Sequence, residues 1–124
     1  RICNVYLTGK EFVYDDVNYE IYICETDEKA ESEKRLELKV LSSGEKQIVS
    51  LFSQMYLSRQ SEFFVVIDEP ELSLSVPWQQ RFLPDIIKTN RCTGLISVTH
   101  SPFIWENDFE RYVAALSEFV RPTA

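Results

Sequence analysis

Two adjacent acidic residues, Asp68 and Glu69, follow a short apolar run and are well suited to chemistry. The run, Phe63 to Ile67, contains three consecutive β-branched residues, which is typical of a central strand of a parallel sheet covered on both faces. The carboxyl end of such a strand is where open α/β sheets bind ligands. One carboxylate there could hold Mg²⁺ on a nucleotide while the other orients a water molecule. A buried strand that ends in two turn-forming acids explains the same residues equally well.

A second candidate lies upstream, where Ser42, Ser43 and Gly44 precede an amphipathic run. If a helix begins there, its hydroxyl groups, free N–H groups and positive dipole end form an anion-binding site. The alternative interpretation is an ordinary helix N-cap, which is the commoner reason for a serine in this position.

His100, the only histidine, follows a second apolar run, Leu95 to Val98. A histidine after a strand is usually structural, and the pattern by itself assigns it no other role.

The order of these three segments resembles the second half of an ABC-type ATPase domain. Leu41 to Glu45 resembles the signature Leu-Ser-Gly-Gly-Gln, Phe63 to Glu69 resembles the Walker B strand, and His100 falls at the switch histidine. The resemblance covers about residues 36–105. It implies an α/β fold with a P-loop NTPase-type sheet and flanking helices, of which this chain is the C-terminal portion of an ABC ATPase head domain.

The resemblance also implies roles for individual residues. The signature segment, Ser42, Ser43, Gly44 and Glu45, would reach across a dimer to the γ-phosphate of ATP on the other protomer. Ser43 replaces the usual first glycine, and Glu45 replaces glutamine, as in the SMC-like branch. Ser75 stands where the family has an aspartate, which puts the usual contact of that carboxylate across the dimer in doubt.

In the downstream segments, Asp68 would be the residue associated with Mg²⁺ and Glu69 the general base or water-orienting residue. His100 would sense the γ-phosphate. Glu71 has two open interpretations, because it could touch the metal region or simply begin the next turn.

The phosphate-binding loop of such enzymes, G-x-x-x-x-G-K-S/T, does not occur in this sequence. Gly9-Lys10 is followed by Glu11 and lacks the upstream glycine. We therefore expect that loop N-terminal to Arg1 or on another chain, and we expect no ATPase activity from this chain alone.

The segments Asp68 to Leu74, Trp78-Gln79 and Thr99 to Ile104 are similar to bacterial antiphage-defence ATPases of the Septu and retron-associated type. The related overcoming-lysogenisation-defect enzymes continue into a Toprim nuclease, but only 24 residues follow His100. The resemblance therefore implies a homo-oligomer with ATP sandwiched between heads and a separate HNH-type nuclease partner.

Two other function classes remain open. A nucleotide-binding subunit of an ABC transporter would be identified by a partner with membrane helices. A non-catalytic ATP-binding interaction module would be identified by a lack of hydrolysis in the full-length protein.

Composition limits these readings. The net charge of -7 disfavours direct binding to nucleic-acid phosphates, so any such contact is expected to be indirect. Three cysteines without CxxC spacing indicate reduced thiols in the cytoplasm rather than a disulfide framework or a zinc site. No apolar run approaches the length of a membrane span.

Hydrophobic periodicity places the motifs on elements and divides the chain into a β-rich lead-in with a charged loop (1–40) and the motif-bearing portion (41–124). In the lead-in we expect a hairpin over 12–23, a charged loop over 25–35 and a strand over 36–40. A helix should follow from Ser43 or Gly44 to about Arg59, and then a strand over 63–69 and a helix over 76–88. The last expected elements are a strand over 95–98, a short helix after Pro102 and a strand over 112–116. Pro84 is expected to kink the second helix or shift its start. The buried face of each helix is expected at spacings of three and four, with Ile48, Val49, Leu51, Phe52, Met55 and Tyr56 in the first and Trp78, Phe82, Ile86 and Ile87 in the second.

Overall fold

The computed structural model describes residues 1–26 and 34–120, so most of the predicted charged loop lies outside the described residues. The chain forms two compact units that divide between Ser61 and Glu62. Each is a mixture of strand and helix. The helices and strands are β1 (Lys10–Asp15), β2 (Glu20–Glu25), β3 (Arg35–Leu36), α1 (Ser43–Leu57), β4 (Phe63–Asp68), α2 (Val76–Ile87) and β5 (Cys92–Val98).

The predicted hairpin is confirmed in the first unit, where β1 and β2 pair antiparallel. The turn between them is closed by Asp15, whose carboxylate accepts hydrogen bonds from the N–H groups of Val17 and Asn18 at 2.9 and 3.0 Å. An aspartate that caps its own turn in this way favours chain reversal over an extended strand. Tyr19 completes the reversal with a positive φ of 57°.

The strand predicted over 36–40 is wrong beyond its first residue. Only Arg35–Leu36 pairs with β2, and Leu38–Val40 forms a 3₁₀ turn. The N–H groups of Val40 and Leu41 donate to carbonyls three residues earlier, those of Glu37 and Leu38. These local hydrogen bonds replace the cross-strand bonds that the alternating pattern predicts.

Helix α1 begins where the sequence predicts, at Ser43, and ends at Leu57, two residues before the expected end. Its buried face carries Ile48, Phe52 and Met55, at the spacing of three and four that the sequence predicts. The ring of Phe52 lies 6.1 Å from that of Tyr6, between ring centroids. Tyr56, which was expected on this face, is 44% exposed.

In the second unit, β4 and β5 pair in parallel, as expected. The prediction that β4 is buried on both faces is wrong, because Phe64 and Val66 are 64% and 68% exposed. Their neighbours on the same face of β5, Ile96 and Val98, are also exposed. No side chain in the described part of the chain covers that face well enough to bury it.

Helix α2 begins at Val76 after Ser75, as predicted, and continues through Pro84 to Ile87. Its start is not shifted by the proline. Ile87 was expected on the inner face and is 40% exposed. The buried face instead follows Gln79, Phe82, Leu83 and Ile86, which is one helical stripe rotated slightly from the expected one.

The short helix after Pro102 is confirmed as a 3₁₀ turn, Pro102–Ile104. The strand predicted over 112–116 is wrong. Two 3₁₀ turns, Glu110–Tyr112 and Leu116–Glu118, occupy this region. Because the apolar side chains of Tyr112 and Leu116 remain exposed, their hydrophobicity does not dictate a buried strand here. Within the described residues, no helix combines the length and apolar character needed to cross a membrane.

Candidate functional site

The parallel register of β4 and β5 brings their carboxyl ends to the same level. Asp68 lies beside Val98, and the N–H of Glu69 donates to the carbonyl of Val98 at 2.8 Å. The residues that follow both strands therefore emerge together at one edge of the sheet. Asp68 is exposed, and its carboxylate has no hydrogen-bonding partner within the described part of the chain.

The backbone turns sharply at Glu69, which has φ 45° and ψ 55°. Non-glycine residues rarely adopt this left-handed conformation, and a residue before proline normally prefers extended backbone. The turn leads directly into a 3₁₀ turn, Pro70–Ser73, and Pro70 is buried. Backbone strain of this kind is concentrated at functional sites, where it holds a side chain in a required direction.

Glu69 and His100 face each other across this edge. The Glu69 Oε1 atom lies 3.8 Å from the His100 Nε2 atom, which is too long for a hydrogen bond. The side chain of His100 is 86% exposed and that of Glu69 is 41% exposed. A carboxylate and an imidazole are thus side by side and exposed at this edge.

Glu71 belongs to this site, although the sequence left its role open. Its Oε2 accepts a hydrogen bond from the Thr99 hydroxyl at 2.6 Å, and its Oε1 accepts one from the backbone N–H of His100 at 2.8 Å. Partial desolvation raises the pKa of Glu71, but these hydrogen bonds outweigh it and hold the pKa below its usual range. Both oxygens are therefore used within the protein.

A second contact holds the other side of the His100 loop. The Ser101 hydroxyl donates to Oε1 of Gln79 at 2.6 Å, and the Gln79 side-chain amide donates to the Leu74 carbonyl at 2.8 Å. Gln79 is buried in α2. Gln79 belongs to the segments that resemble antiphage-defence ATPases, but no role at this site was expected for it.

The signature segment lies in the first unit, at the start of α1. Ser42 is the N-cap, and it forms a capping box with Glu45. The N–H of Ser42 donates to Oε2 of Glu45 at 2.7 Å, and the N–H of Glu45 donates to the Ser42 hydroxyl oxygen at 3.3 Å. The same Glu45 oxygen lies 3.0 Å from Nζ of Lys10. The N-cap interpretation is therefore correct, whatever further role the segment has.

Glu45 is directed into the unit rather than toward solvent, with only 5% of the residue exposed. Burial raises its pKa, but the hydrogen bonds from Ser42 and Lys10 outweigh burial and lower the pKa overall. Ser42 and Ser43 are exposed. Within the described residues, the N–H groups of Ser43 and Gly44 have no acceptor, which is usual for the first turn of a helix.

The carboxylate of Asp68, at the end of β4, is chemically suited to a magnesium ion. Mg²⁺ prefers hard oxygen ligands and commonly uses one or two carboxylates, with waters and phosphate oxygens as the other ligands. Within the described ranges, no group of three or more potential metal ligands forms a site. The exposed carboxylate of Asp68 is of the type that Mg²⁺ uses when waters and other oxygens complete its shell.

Comparison with known proteins places the chain in a family. A search of curated proteins found no match. The family model AAA_21, described as "AAA domain, putative AbiEii toxin, Type IV TA system", matches residues 9–106, which include the signature segment, the Asp68-Glu69 pair and His100. This match covers well over half of the chain, and it indicates a nucleotide-binding domain of the P-loop ATPase type. The chain therefore belongs to the AAA_21 family of AAA-type ATPase domains.

Proposed function

We propose that this chain carries the hydrolytic and signature segments of an ABC-type ATPase that dimerises around ATP. In this proposal the ATPase regulates a separate nuclease in antiphage defence or DNA metabolism. The observation that carries the proposal is the edge of the β4–β5 sheet. There Glu69, held in a left-handed conformation beside Asp68, faces His100 at 3.8 Å.

The chemistry of this edge suits phosphoryl transfer to water. Bound Mg²⁺ would neutralise charge on the β- and γ-phosphates, and Asp68 would hold it directly or through a water molecule. Glu69 orients the attacking water, because its carboxylate is exposed and accepts hydrogen bonds. His100 donates a hydrogen bond to the γ-phosphate.

The signature segment suits a contact with phosphate from a second protomer. Ser42 and Ser43 are exposed at the positive end of α1, and the first-turn N–H groups point out of the helix. Because Glu45 turns inward to Lys10, its negative charge is balanced within the unit and does not oppose an incoming phosphate.

The proposal assigns nucleic-acid cleavage to a different polypeptide. The chain has a net charge of -7 and a single histidine, and His100 is already used at the candidate ATPase site. A net negative charge does not favour the approach of a nucleic-acid polyanion. ATP state would then control the partner through the shape of the dimer, as the resemblance to Septu and retron-associated ATPases implies.

The first test is Glu69→Gln in the full-length protein, with steady-state ATP hydrolysis and ATP binding measured separately. Loss of the water-orienting carboxylate should lower kcat by about 10² to 10⁴-fold and leave ATP binding nearly unchanged. Glu106→Gln, which removes an exposed carboxylate of the same unit, is the matched control. An unchanged kcat in Glu69→Gln would sink the assignment.

The second test concerns Asp68. Asp68→Asn should shift the magnesium dependence of hydrolysis to higher concentration, because a neutral amide is a weaker partner for Mg²⁺ or its water shell. A magnesium titration identical to that of the wild type would mean that Asp68 only ends the strand.

The partner is tested by co-expression with the neighbouring reading frame. The two proteins should co-purify, and Glu69→Gln should change nuclease activity, whereas the ATPase alone should not cut DNA or RNA with any divalent metal. Cleavage by the purified ATPase would contradict the assignment of the nuclease to a second chain.

A further inference from the structure

We propose that Glu71 is a positioning residue that holds His100 in place for ATP hydrolysis. This inference rests on the proposed function, because it assigns the residue through which His100 would act. It goes beyond the motif-based roles, which left Glu71 either near the metal or at the start of a turn.

Glu71 holds two consecutive residues of the His100 loop at once. One carboxylate oxygen accepts a hydrogen bond from the Thr99 hydroxyl at 2.6 Å, and the other accepts one from the backbone N–H of His100 at 2.8 Å. The Thr99 hydroxyl oxygen also accepts from the Ser101 N–H at 3.0 Å. A hydrogen-bonded chain therefore runs from Glu71 through all three residues of the loop.

His100 needs such a support because its side chain is 86% exposed and is not held by packing. The nearest charged group, Glu69 Oε1, is 3.8 Å away and makes no hydrogen bond with it. The direction of the imidazole thus depends on its backbone, and that backbone is fixed by a charged acceptor. Hydrogen bonds to charged groups are shorter and stronger than neutral ones, and the two distances here fit that class.

The same 3₁₀ turn links the two candidate catalytic side chains. Glu69 begins the turn with its left-handed backbone, and Glu71 lies inside it. Any movement of this turn shifts Glu69 directly and His100 through the Glu71 carboxylate. The turn therefore sets the relative position of the water-orienting carboxylate and the imidazole.

A direct role in binding metal fits the contacts less well. Each oxygen of Glu71 already accepts a hydrogen bond, and lowering of its pKa by those bonds agrees with an anion that is satisfied inside the protein. Mg²⁺ would have to share these oxygens with the Thr99 hydroxyl and the His100 backbone N–H.

The test uses steady-state hydrolysis by the full-length protein. Glu71→Ala should lower kcat by about tenfold, the loss expected when a charge-assisted hydrogen bond no longer fixes a catalytic group, with KM for ATP changed less than about threefold. Glu71→Gln should recover most of the activity, because its amide oxygen accepts from the His100 N–H and its amide nitrogen donates to Thr99. Glu106→Ala is the control for loss of an exposed carboxylate.

A double-mutant cycle separates positioning from a general structural role. In the His100→Ala background, Glu71→Ala should cause no further loss of kcat, because the residue through which it acts is absent. Thr99→Val keeps the shape of the side chain and removes both the donor to Glu71 and the acceptor for the Ser101 N–H, and it provides a second variant in case Glu71→Ala folds poorly. It should lower kcat by a few fold with little effect on KM.

Two outcomes would overturn the inference without touching the proposed function. One is an active wild type whose Glu71→Ala variant keeps its kcat. The other is a loss of kcat that is fully additive with His100→Ala. A wild-type protein that binds ATP without hydrolysing it would instead overturn the proposed function, and this inference would fall with it.

Discussion

The side-chain amide nitrogen of Asn107 donates a hydrogen bond to the Gln80 carbonyl at 3.1 Å. That carbonyl lies four residues before Pro84, which has no N–H and cannot complete the helical hydrogen bond. Asn107 thus replaces the donor that the proline removes. The same amide nitrogen also donates to the Ile104 carbonyl at 3.0 Å, and the amide oxygen accepts from the Phe109 N–H at 3.0 Å.

We predict that Asn107→Ala lowers the free energy of unfolding by about 1 to 3 kcal/mol, because several polar groups lose their partners. Asn107→Asp should be at least as destabilising, since it keeps the acceptor for Phe109 but turns a carboxylate oxygen toward two carbonyls. Urea unfolding of the full-length protein measures both.

A double-mutant cycle with Pro84→Ala tests whether Asn107 stabilises the protein by pairing with the Gln80 carbonyl. Alanine restores an N–H to the helix, so Asn107→Ala should cost less in that background than in the wild type. Equal costs in the two backgrounds would show that Asn107 stabilises the protein only through Ile104 and Phe109.

We predict that Glu69 lowers the free energy of unfolding but is required for ATP hydrolysis. Glu69→Gly places a residue that tolerates positive φ at φ 45°, and it should raise the free energy of unfolding by about 0.5 to 1 kcal/mol. The same variant should lose ATP hydrolysis because the carboxylate is gone. Glu69→Gln, which keeps the backbone restriction, should lose hydrolysis without the gain in stability. A less stable Glu69→Gly variant would contradict the strain assigned to this turn.

We predict that the stabilising contribution of the Glu45 carboxylate is lost at acid pH. Its pKa in the folded protein lies below the value of 4.5 expected when it is free, so its contribution is present above about pH 4.5 and is lost as pH falls through the folded pKa. Glu45→Gln should therefore be less stable than the wild type at pH 7, and the difference should shrink below pH 4.5. Glu11→Gln, at an exposed site on β1, controls for the change in net charge. A difference between wild type and Glu45→Gln that stays constant from pH 7 to pH 3 would refute the role of the carboxylate.

Ser42→Arg tests the signature segment between protomers. A bulky cation at this exposed N-cap should leave ATP binding to a single protomer largely intact and block ATP-dependent association. Light scattering in a Glu69→Gln background, with and without ATP, measures association. Ser50→Arg, at an exposed position further along α1, is the matched control. If Ser42→Arg associates as well as the control does, the segment lies outside the dimer interface.

Local sequence patterns were sufficient for the features whose interactions are close in the chain. The start of α1 follows from Ser42 and Glu45, three residues apart, because the capping box closes within one turn. The first hairpin follows from Asp15 and the turn that it caps. The strand that ends at Asp68 was also predictable, because an apolar run followed by acids is a local pattern.

Only the tertiary structure decided which polar residues support the candidate site. Glu71 and Thr99 are 28 residues apart, and Gln79 and Ser101 are 22 apart, so neither pairing appears in any local period. The exposed face of β4 and the wrongly predicted strand over 112–116 have the same explanation. Hydrophobicity predicts that Val66 can be buried, but whether it is buried depends on which part of the fold lies over it. Two parallel strand ends and one 3₁₀ turn bring Glu69, Glu71 and His100 together, and that arrangement arises only when the chain folds.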